Sequence, residues 1–493
     1  RLVGSEMCIR DSLRIEDTDK KREVENGVSL IVKGLNDFGI EIDEGMLSET
    51  DEKGAYGPYT QSKRKDIYQA YVKSLVEQGL AYPCFMTEEE LATIREKQES
   101  EKLLPGVYGE FAKYRDITVE EAQKRIENGD EYVVRLKSPG KEDKRIKFKD
   151  VIKGEIEMPE NILDVVLLKK DGTPTYHFAH IVDDHLMRTT HVIRGDEWIS
   201  SVPIHLQLFW LCGLKPPKYA HISPIMKEEN GGKRKLSKRK DPEAAVSYYS
   251  EVGYPKGAIW EYLMTLANSN YEDWRLANPN EDIDNFKFSF SKMSKAGALF
   301  DMVKLADVSK NYICRLSAEE VYEMVTDWAK ENNKKLYKLL VDDEEYAKAI
   351  FAIERGNAKP RKDISAWTDV ENYVSYFYSE LWDRKFDFPD NLSNDDMIEI
   401  LELYKQIYDE NVSSDDWFPQ VRDMAETIGY AKAPKVYKKD PDSYKGHVGD
   451  VAGVIRVAAT GRRNTPDLYE ILQVLGKDEV MKRFDEAIES LRG

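Results

Sequence analysis

The feature that most constrains the fold of this chain is a change in hydrophobic patterning near residue 240. Before it, short strand-like apolar runs alternate with amphipathic stretches such as residues 24–38, whose apolar side chains recur every three or four positions. After it, nearly every apolar pattern has the helical period. Strands that alternate with helices indicate a parallel sheet with crossover helices. We therefore predict an α/β half followed by a mainly α-helical half.

Within the α/β half, residues 87–168 differ from their surroundings in the pattern of charged and apolar residues. Charged helical patterns are followed there by short β-rich runs, which predicts an α+β insertion in the sheet. The sheet resumes with an apolar strand that ends at Arg194. Ligands of open α/β sheets bind at the carboxyl ends of the strands, so the Arg194 guanidinium is a candidate partner for a carboxylate. The alternative is a structural ion pair with Asp183 or Asp184.

Charge and cysteine content indicate which partners, metal sites and cell compartment are compatible with this chain. The formal net charge is −18, but cations cluster locally, at residues 233–240, 359–362, 432–445 and 456–463. Local patches, more than net charge, decide whether a polyanion binds. The four cysteines lie far apart without a Cys-x-x-Cys pair, which argues against disulfides and against structural zinc at Cys84, and favours a reducing cytoplasm. No apolar run approaches the roughly 18 residues that span a bilayer.

Residues 231–240 combine two glycines with six cations. A basic loop of this kind can hold a polyphosphate against backbone N–H groups, although a solvated surface loop or a nucleic-acid contact has the same composition. The order of residues 235–239, Lys-Leu-Ser-Lys-Arg, resembles the KMSKS-type signature of class I aminoacyl-tRNA synthetases in its glutamyl form. The resemblance favours the polyphosphate interpretation.

Six segments together resemble the bacterial-type glutamyl-tRNA synthetases, in that family's order and approximate spacing. They are residues 14–19, 57–62, 174–177, 182–185, 192–198 and 235–239. The resemblance runs from residue 13 to the end of the chain. It implies a Rossmann-type catalytic domain that activates glutamate with ATP, with magnesium bridging the phosphates. It also implies glutamyl transfer to tRNA(Glu), with tRNA(Gln) as a further candidate acceptor, by a cytoplasmic monomer.

The resemblance assigns four residues to the amino-acid substrate. Glu16 would orient the amino group of glutamate, since a carboxylate suits an ammonium. Arg194 would grip the side-chain carboxylate and so distinguish glutamate from glutamine. Tyr176 and, less directly, His180 would line the same pocket. The alternative for Glu16 is a solvated carboxylate at a sheet edge. Without the resemblance, Tyr176 and His180 are interpreted as packed interface residues.

The resemblance assigns a second group to ATP. Glu197 and Trp198 would contact the nucleotide, with Trp198 equally interpretable as a core residue. Leu236 would present backbone groups to the adenine. Lys238 would be the main phosphate contact and would stabilise the charge that develops as pyrophosphate leaves. Two neighbouring cations would support it, Lys235 and Arg239.

Two basic loops in the helical half resemble the parts of the family that bind the anticodon. They supply five candidate tRNA contacts, namely Arg361, Lys362, Arg456, Arg462 and Arg463. Such loops recognise RNA through phosphates, base edges and stacking. Solvated helix termini are the alternative. We predict no metal site: Asp183, Asp184 and His185 are expected to order a loop or cap a helix.

The predicted domain boundaries follow from these segments. They are a non-native read-through at 1–12, a catalytic domain in two parts at 13–86 and 169–230, an α+β insertion for the tRNA acceptor end at 87–168, a stem-contact domain with the basic loop at 231–316, and an α-helical anticodon-binding region at 317–493. A boundary near 316 is suggested by a capping box, Ser317 with Glu320.

The sequence lacks the His-x-Gly-His-type motif that contacts ATP in class I synthetases. We therefore expect a truncated chain that lacks the first strand–helix unit of the nucleotide-binding fold. Three alternatives stay open. They are a catalytically impaired tRNA-binding fragment, a glutaminyl-tRNA synthetase, and a tRNA-modifying relative; Arg194 and the long helical half argue against the last two.

Overall fold

The computed structural model describes residues 10–18 and 24–493. Its strands, numbered in chain order, are β1 Ser12–Leu13, β2 Glu44–Met46, β3 Glu52–Lys53, β4 Ala81–Cys84, β5 Val133–Leu136, β6 Arg145–Asp150, β7 Gly154–Pro159, β8 Val166–Leu168, β9 His191–Gly195, β10 Lys218–Ile222, β11 Met226–Glu229 and β12 Gly232–Lys235.

The α-helices are α1 Gly27–Asp37, α2 Lys65–Glu77, α3 Glu88–Ser100, α4 Val119–Glu127, α5 Tyr176–Leu186, α6 Val202–Leu211, α7 Val246–Val252, α8 Lys256–Ala267, α9 Tyr271–Ala277, α10 Met302–Ile313, α11 Ala318–Asn332, α12 Lys334–Asp342, α13 Glu344–Ala352, α14 Val370–Val374, α15 Asn394–Ile407, α16 Ser414–Thr427, α17 Pro434–Tyr437, α18 Val448–Thr460 and α19 Leu468–Arg492. The predicted change from mixed to helical structure is confirmed, because the last described strand ends at Lys235. None of the described helices is long and apolar enough to cross a membrane.

The chain forms two compact units. The first comprises residues 1–244 and 263–301, and the second comprises 245–262 and 302–493. The predicted capping box is confirmed at the start of α11, where the Ser317 hydroxyl accepts the Glu320 N–H at 3.2 Å and the Glu320 carboxylate accepts the Ser317 N–H at 2.7 Å. The predicted boundary at residue 316 therefore lies inside the second unit.

The sheet that carries Arg194 has the strand order β7-β6-β10-β9. Strands β6, β10 and β9 run parallel, and His221 on β10 stands opposite Arg194 on β9. Strand β6 belongs to the segment predicted as an insertion, so this segment contributes directly to the sheet of the candidate site.

The expectation of a parallel sheet with crossover helices fails at β4. This strand pairs antiparallel with β5, which in turn pairs antiparallel with β8. The chain leaves β4 through α3 and α4 and returns along β5, so β5 takes the edge of β4 that a parallel strand would need. Helices α2, α5 and α6 bury apolar side chains with this sheet, including Tyr68, Leu136, Phe178 and Leu208. The second unit has its own helical core.

Candidate active site

Arg194 lies at the carboxyl end of β9 and is surrounded by neutral partners. Its Nε donates to Nε2 of His221 at 3.1 Å. Its terminal nitrogens donate to the Tyr176 hydroxyl and to the Trp198 carbonyl oxygen, both at 3.3 Å. The alternative of an ion pair with Asp183 or Asp184 is wrong. In the part of the chain that the structure describes, no carboxylate lies within 4.0 Å of Arg194.

Four buried or half-buried rings, here called the histidine cluster, surround Arg194 and Tyr176: His177, His180, His205 and His221. Burial is the largest cause that lowers the pKa of each ring, and the positive charge of Arg194 acts in the same direction. The cluster is therefore neutral at pH 7, and Arg194 is its cation. Among the described residues, no group of three or more His, Cys, Asp or Glu side chains is arranged to hold a metal ion.

A pocket of about 1270 Å³ in the first unit brings together three of the predicted residues, Glu16, Tyr176 and Trp198. The Tyr176 and Trp198 rings lie 4.6 Å apart between centroids, so they form one aromatic wall. Since both residues also contact Arg194, the guanidinium lies directly behind that wall. The Glu16 carboxylate pairs with Arg14 at 3.5 Å. Glu16 therefore lines the pocket, and Arg194 lies beside it in contact with two of the lining residues.

The prediction that Asp183 and Asp184 order a loop or cap a helix is wrong, because both residues lie buried within α5. Asp183 accepts from Arg64 Nε at 2.7 Å and from the Tyr68 hydroxyl at 2.8 Å. Asp184 accepts from Arg14 at 3.1 Å. These bonds tie α5 to Arg14, to the short 3-10 helix at residues 61–64 and to α2, and Arg14 also pairs with Glu16.

A hairpin presents the basic loop. Strands β11 and β12 pair antiparallel around Asn230 and Gly231, whose positive φ angles of 52° and 76° are typical of a two-residue turn between such strands. The next residues, 236–240, form a tight loop in which the Ser237 carbonyl accepts the N–H groups of Lys240 and Asp241. The hairpin therefore delivers the signature segment as one ordered unit.

Asp241 anchors this loop. Its carboxylate is almost fully buried and accepts two bonds from Arg234, at 2.6 and 2.7 Å, and the Ser237 N–H at 2.9 Å. The charge of Arg234 is thus neutralised within the hairpin. Lys235, Lys238 and Arg239 are exposed, and within the described ranges they form no ion pair with a carboxylate. Their charges remain available to a polyanion.

The structure does not join all predicted residues into one contact network. No hydrogen bond or ion pair among the described residues links the 235–239 loop to Glu16, Arg194 or Glu197. Glu197 is exposed beside Gly195. Leu236 is half-buried, and its N–H is already bound to the Ile225 carbonyl oxygen at 2.9 Å.

Both ring nitrogens of His180 lie within hydrogen-bond distance of protein groups. Its Nε2 lies 3.2 Å from the Tyr219 hydroxyl, and its Nδ1 lies 3.1 Å from the Asp184 carboxylate. The ring also stacks on Tyr176, with 5.8 Å between centroids. Its contacts therefore support the pocket wall, and its role at the substrate stays a prediction.

Most of the five candidate tRNA contacts in the second unit are engaged with protein groups. Arg361 binds Asp363 through two nitrogens, at 2.7 and 3.0 Å, and Arg456 donates to the Pro466 carbonyl oxygen at 2.7 Å. Arg462 donates to Asn372 and Ser375, and Arg463 pairs with Asp387. Lys362 is exposed and, within residues 10–18 and 24–493, pairs with no carboxylate. Of the five, Lys362 is therefore the exposed charge that no carboxylate among the described residues neutralises.

Sequence reasoning missed Asp150, His221 and Asp241, which support predicted residues without belonging to any quoted segment. Two signals could have indicated them. Asp150 and His221 lie at the carboxyl ends of β6 and β10, of which β10 is the direct neighbour of the Arg194 strand, and Asp241 follows residues 235–239 by two positions. Neither signal names the partner side chain, because that depends on which strands become neighbours.

Two family models match the chain. A model described as "tRNA synthetases class I (E and Q), catalytic domain" matches residues 10–307, and one described as "Anticodon binding domain" matches residues 442–488. The chain is 54% identical over 476 residues to a glutamate–tRNA ligase of Clostridium perfringens, which covers 96% of this chain and 86% of that protein. It is 51% identical over 479 residues to one of Clostridium beijerinckii, with 96% and 87% covered.

Two solved structures are also similar to this chain over most of its length. A crystal structure described as a glutamate tRNA ligase from Elizabethkingia meningosepticum in complex with its amino acid superposes with a TM-score of 0.75 at 28% identity, and covers 97% of this chain and 92% of that chain. A glutamate–tRNA synthetase from Elizabethkingia anophelis superposes with a TM-score of 0.71 at 28% identity and the same coverage. The likeness therefore extends over both compact units.

Proposed function

The chain belongs to the class I tRNA synthetases of the glutamate and glutamine type, and from this premise we propose how it acts as a glutamate–tRNA ligase. Glutamate and ATP give glutamyl-adenylate and pyrophosphate, and the glutamyl group then passes to the 3′-terminal adenosine of tRNA. The observation that carries the choice of glutamate is Arg194, whose guanidinium has no carboxylate partner among the described residues. A positive fork favours a charged carboxylate over a neutral amide.

The pocket beside Arg194 suits an amino acid with a charged side chain. Arg194 binds the side-chain carboxylate, and the Tyr176 hydroxyl, which already accepts from Arg194, fixes its direction. Glu16 on the same pocket binds the ammonium group. This division of charges holds the reacting α-carboxylate in one orientation, which is how positioning lowers an activation barrier.

The loop at 235–239 supplies the electrostatic part of the reaction. Lys238, with Lys235 and Arg239, stabilises the charge that develops on the phosphates as pyrophosphate leaves. Asp241 keeps the loop ordered without neutralising these exposed cations, because its carboxylate is taken by Arg234. Magnesium, when bound, adds to this neutralisation.

The tRNA contacts are assigned by region. Residues 87–168 take the acceptor end, and residues 317–493 take the anticodon, with Lys362 and the neighbouring arginines as the basic contacts. The enzyme acts as a monomer in the cytoplasm. A charging assay with purified tRNA(Glu) and purified tRNA(Gln) would show whether the enzyme also charges tRNA(Gln).

ATP–pyrophosphate exchange in the presence of tRNA tests the proposal. Exchange should require glutamate, and Lys238→Ala should lower it by about 100-fold or more, as expected for loss of one charge at the transition state. Lys233→Ala, which removes an exposed cation outside the 235–239 loop, is the matched control and should stay close to the parent protein. Exchange supported equally by glutamine would favour a glutaminyl enzyme. Silence with both amino acids, together with tight tRNA binding, would favour a tRNA-binding protein without ligase activity.

A further inference from the structure

Three side chains form a line across the sheet of the active site. Asp150, His221 and Arg194 stand at the carboxyl ends of the adjacent strands β6, β10 and β9. The parallel register places His221 opposite Arg194 and places Asp150 opposite Tyr219, two residues before His221. Residues two apart on a strand share one face of the sheet. The line is therefore a consequence of strand order and register.

The Asp150 carboxylate accepts hydrogen bonds from four donors. It is fully buried, and its two oxygens accept from the N–H groups of Ile152 at 2.9 Å, Lys153 at 2.8 Å and His221 at 3.1 Å. The fourth donor is Nδ1 of the His221 ring, at 2.7 Å. A carboxylate bound by these donors can only accept from the ring, so Nδ1 of His221 carries the hydrogen.

The proton on Nδ1 decides what His221 offers to Arg194. In the neutral ring Nε2 is then an acceptor, and it receives the Nε–H of Arg194 at 3.1 Å. His221 is fully buried, and burial lowers its pKa, which keeps the ring neutral beside the guanidinium. The Nε edge of Arg194 thus faces the Asp150–His221 pair, while its terminal nitrogens face Tyr176 and Trp198, which line the pocket.

We propose that Asp150 and His221 are positioning residues for recognition of the substrate carboxylate: they hold the Arg194 guanidinium from behind so that its terminal N–H groups point to the pocket. Neither residue touches the substrate. The inference rests on the proposed function, since it assumes that the ligand of Arg194 is the side-chain carboxylate of glutamate.

Two substitutions of His221 separate positioning from packing. In His221→Gln the amide oxygen takes the place of Nε2 and can still accept from Arg194. In His221→Asn the amide takes the place of Nδ1, keeps the bond to Asp150 and loses Arg194. A third variant, Asp150→Asn, can donate to Nδ1 and so put the ring hydrogen on Nε2, where it opposes the Arg194 N–H. His191→Gln, a histidine on β9 that contacts Thr190 instead, is the control.

Equilibrium titrations of the full chain with glutamate, glutamine and ATP test the proposal. We expect His221→Asn and Asp150→Asn to weaken glutamate binding about ten-fold or more, as for loss of a hydrogen bond to a charged group. Affinity for ATP should stay unchanged, and the preference for glutamate over glutamine should shrink. His221→Gln should restore most of the glutamate affinity, and His191→Gln should match the parent.

The possible failures are distinguishable. If the parent binds glutamate and all His221 and Asp150 variants bind it equally well, the positioning role is overturned while the proposed function stands. If the Asn variants lose glutamate and ATP binding together, or if His221→Gln is as poor as His221→Asn, the pair is only structural and the proposal is overturned. If the parent protein binds no glutamate, the proposed function fails and the inference fails with it.

Discussion

Replacing the buried carboxylate of α5, Asp183→Asn, is expected to destabilise the first unit by about 3–5 kcal/mol, the usual effect of removing one partner from a buried ion pair. Asp183 is fully buried and accepts from Arg64 at 2.7 Å, from the Tyr68 hydroxyl at 2.8 Å and from Gln61 at 3.1 Å. Asparagine keeps the shape but removes the charge, and the Arg64 guanidinium, itself only 2% exposed, then has no counter-ion at this position.

Hydrogen exchange measured by mass spectrometry across a urea series can resolve this effect, because it reports on peptides of α2 and α5 separately from the second unit. Asp66→Asn is the matched control. Asp66 is an exposed carboxylate in the first turn of α2, and its loss should change stability by less than about 1 kcal/mol. Protection of α2 and α5 that falls equally in both variants, or in neither, would refute the account of Asp183 as the centre of the network.

Three further predictions concern the loop, the histidine cluster and the helical half. Asp241→Asn should speed trypsin cleavage within residues 235–239 and weaken protection by ATP, whereas Glu228→Gln on the same hairpin should not; equal cleavage rates would contradict the anchoring role. Burial lowers the folded-state pKa values of the histidine cluster, so below pH 6.5 the unfolded chain binds more protons than the folded one. The free energy of unfolding should therefore fall as the pH drops through 6.5, by up to about 1.4 kcal/mol per pH unit for each ring. Calorimetry between pH 7.5 and 5.5 checks this, and a flat dependence would contradict it. Lys362→Ala should weaken tRNA binding and reduce the slope against salt concentration by about one, as for loss of a phosphate contact; an unchanged slope in filter binding would argue against that contact.

Much of the fold could be predicted from local pattern. The helix at residues 24–38, the strand that ends at Arg194 and the capping box at Ser317 follow from periodicity and cap chemistry, which act within a few residues. The antiparallel pairing of β4 and the entry of β6 into the sheet of the site could not be predicted in this way. Both depend on which distant strands become neighbours, and local pattern carries no information about that choice.

The residues of the candidate site also fall into two groups, those that a local segment indicates and those that depend on distant parts of the chain. Arg194, Tyr176 and the 235–239 loop could be proposed from the sequence because they belong to recognisable segments. Asp150 and His221 were missed because their role depends on strand register, and Asp183 was expected to order a loop or cap a helix, whereas it lies buried within α5. Burial of the two adjacent aspartates of α5 is possible because Arg64, Tyr68 and Arg14 come from elsewhere in the chain to bind them.

We propose that this chain selects glutamate through the Arg194 guanidinium and attaches it to tRNA. The most direct measurement is the charging of purified tRNA(Glu) with labelled glutamate and with labelled glutamine, at equal concentrations and in the same preparation. The account predicts glutamyl-tRNA as the product, glutamine left unattached, and loss of the glutamyl product in Arg194→Gln. Charging with glutamine at a comparable rate, or a product that persists undiminished in Arg194→Gln, would contradict it.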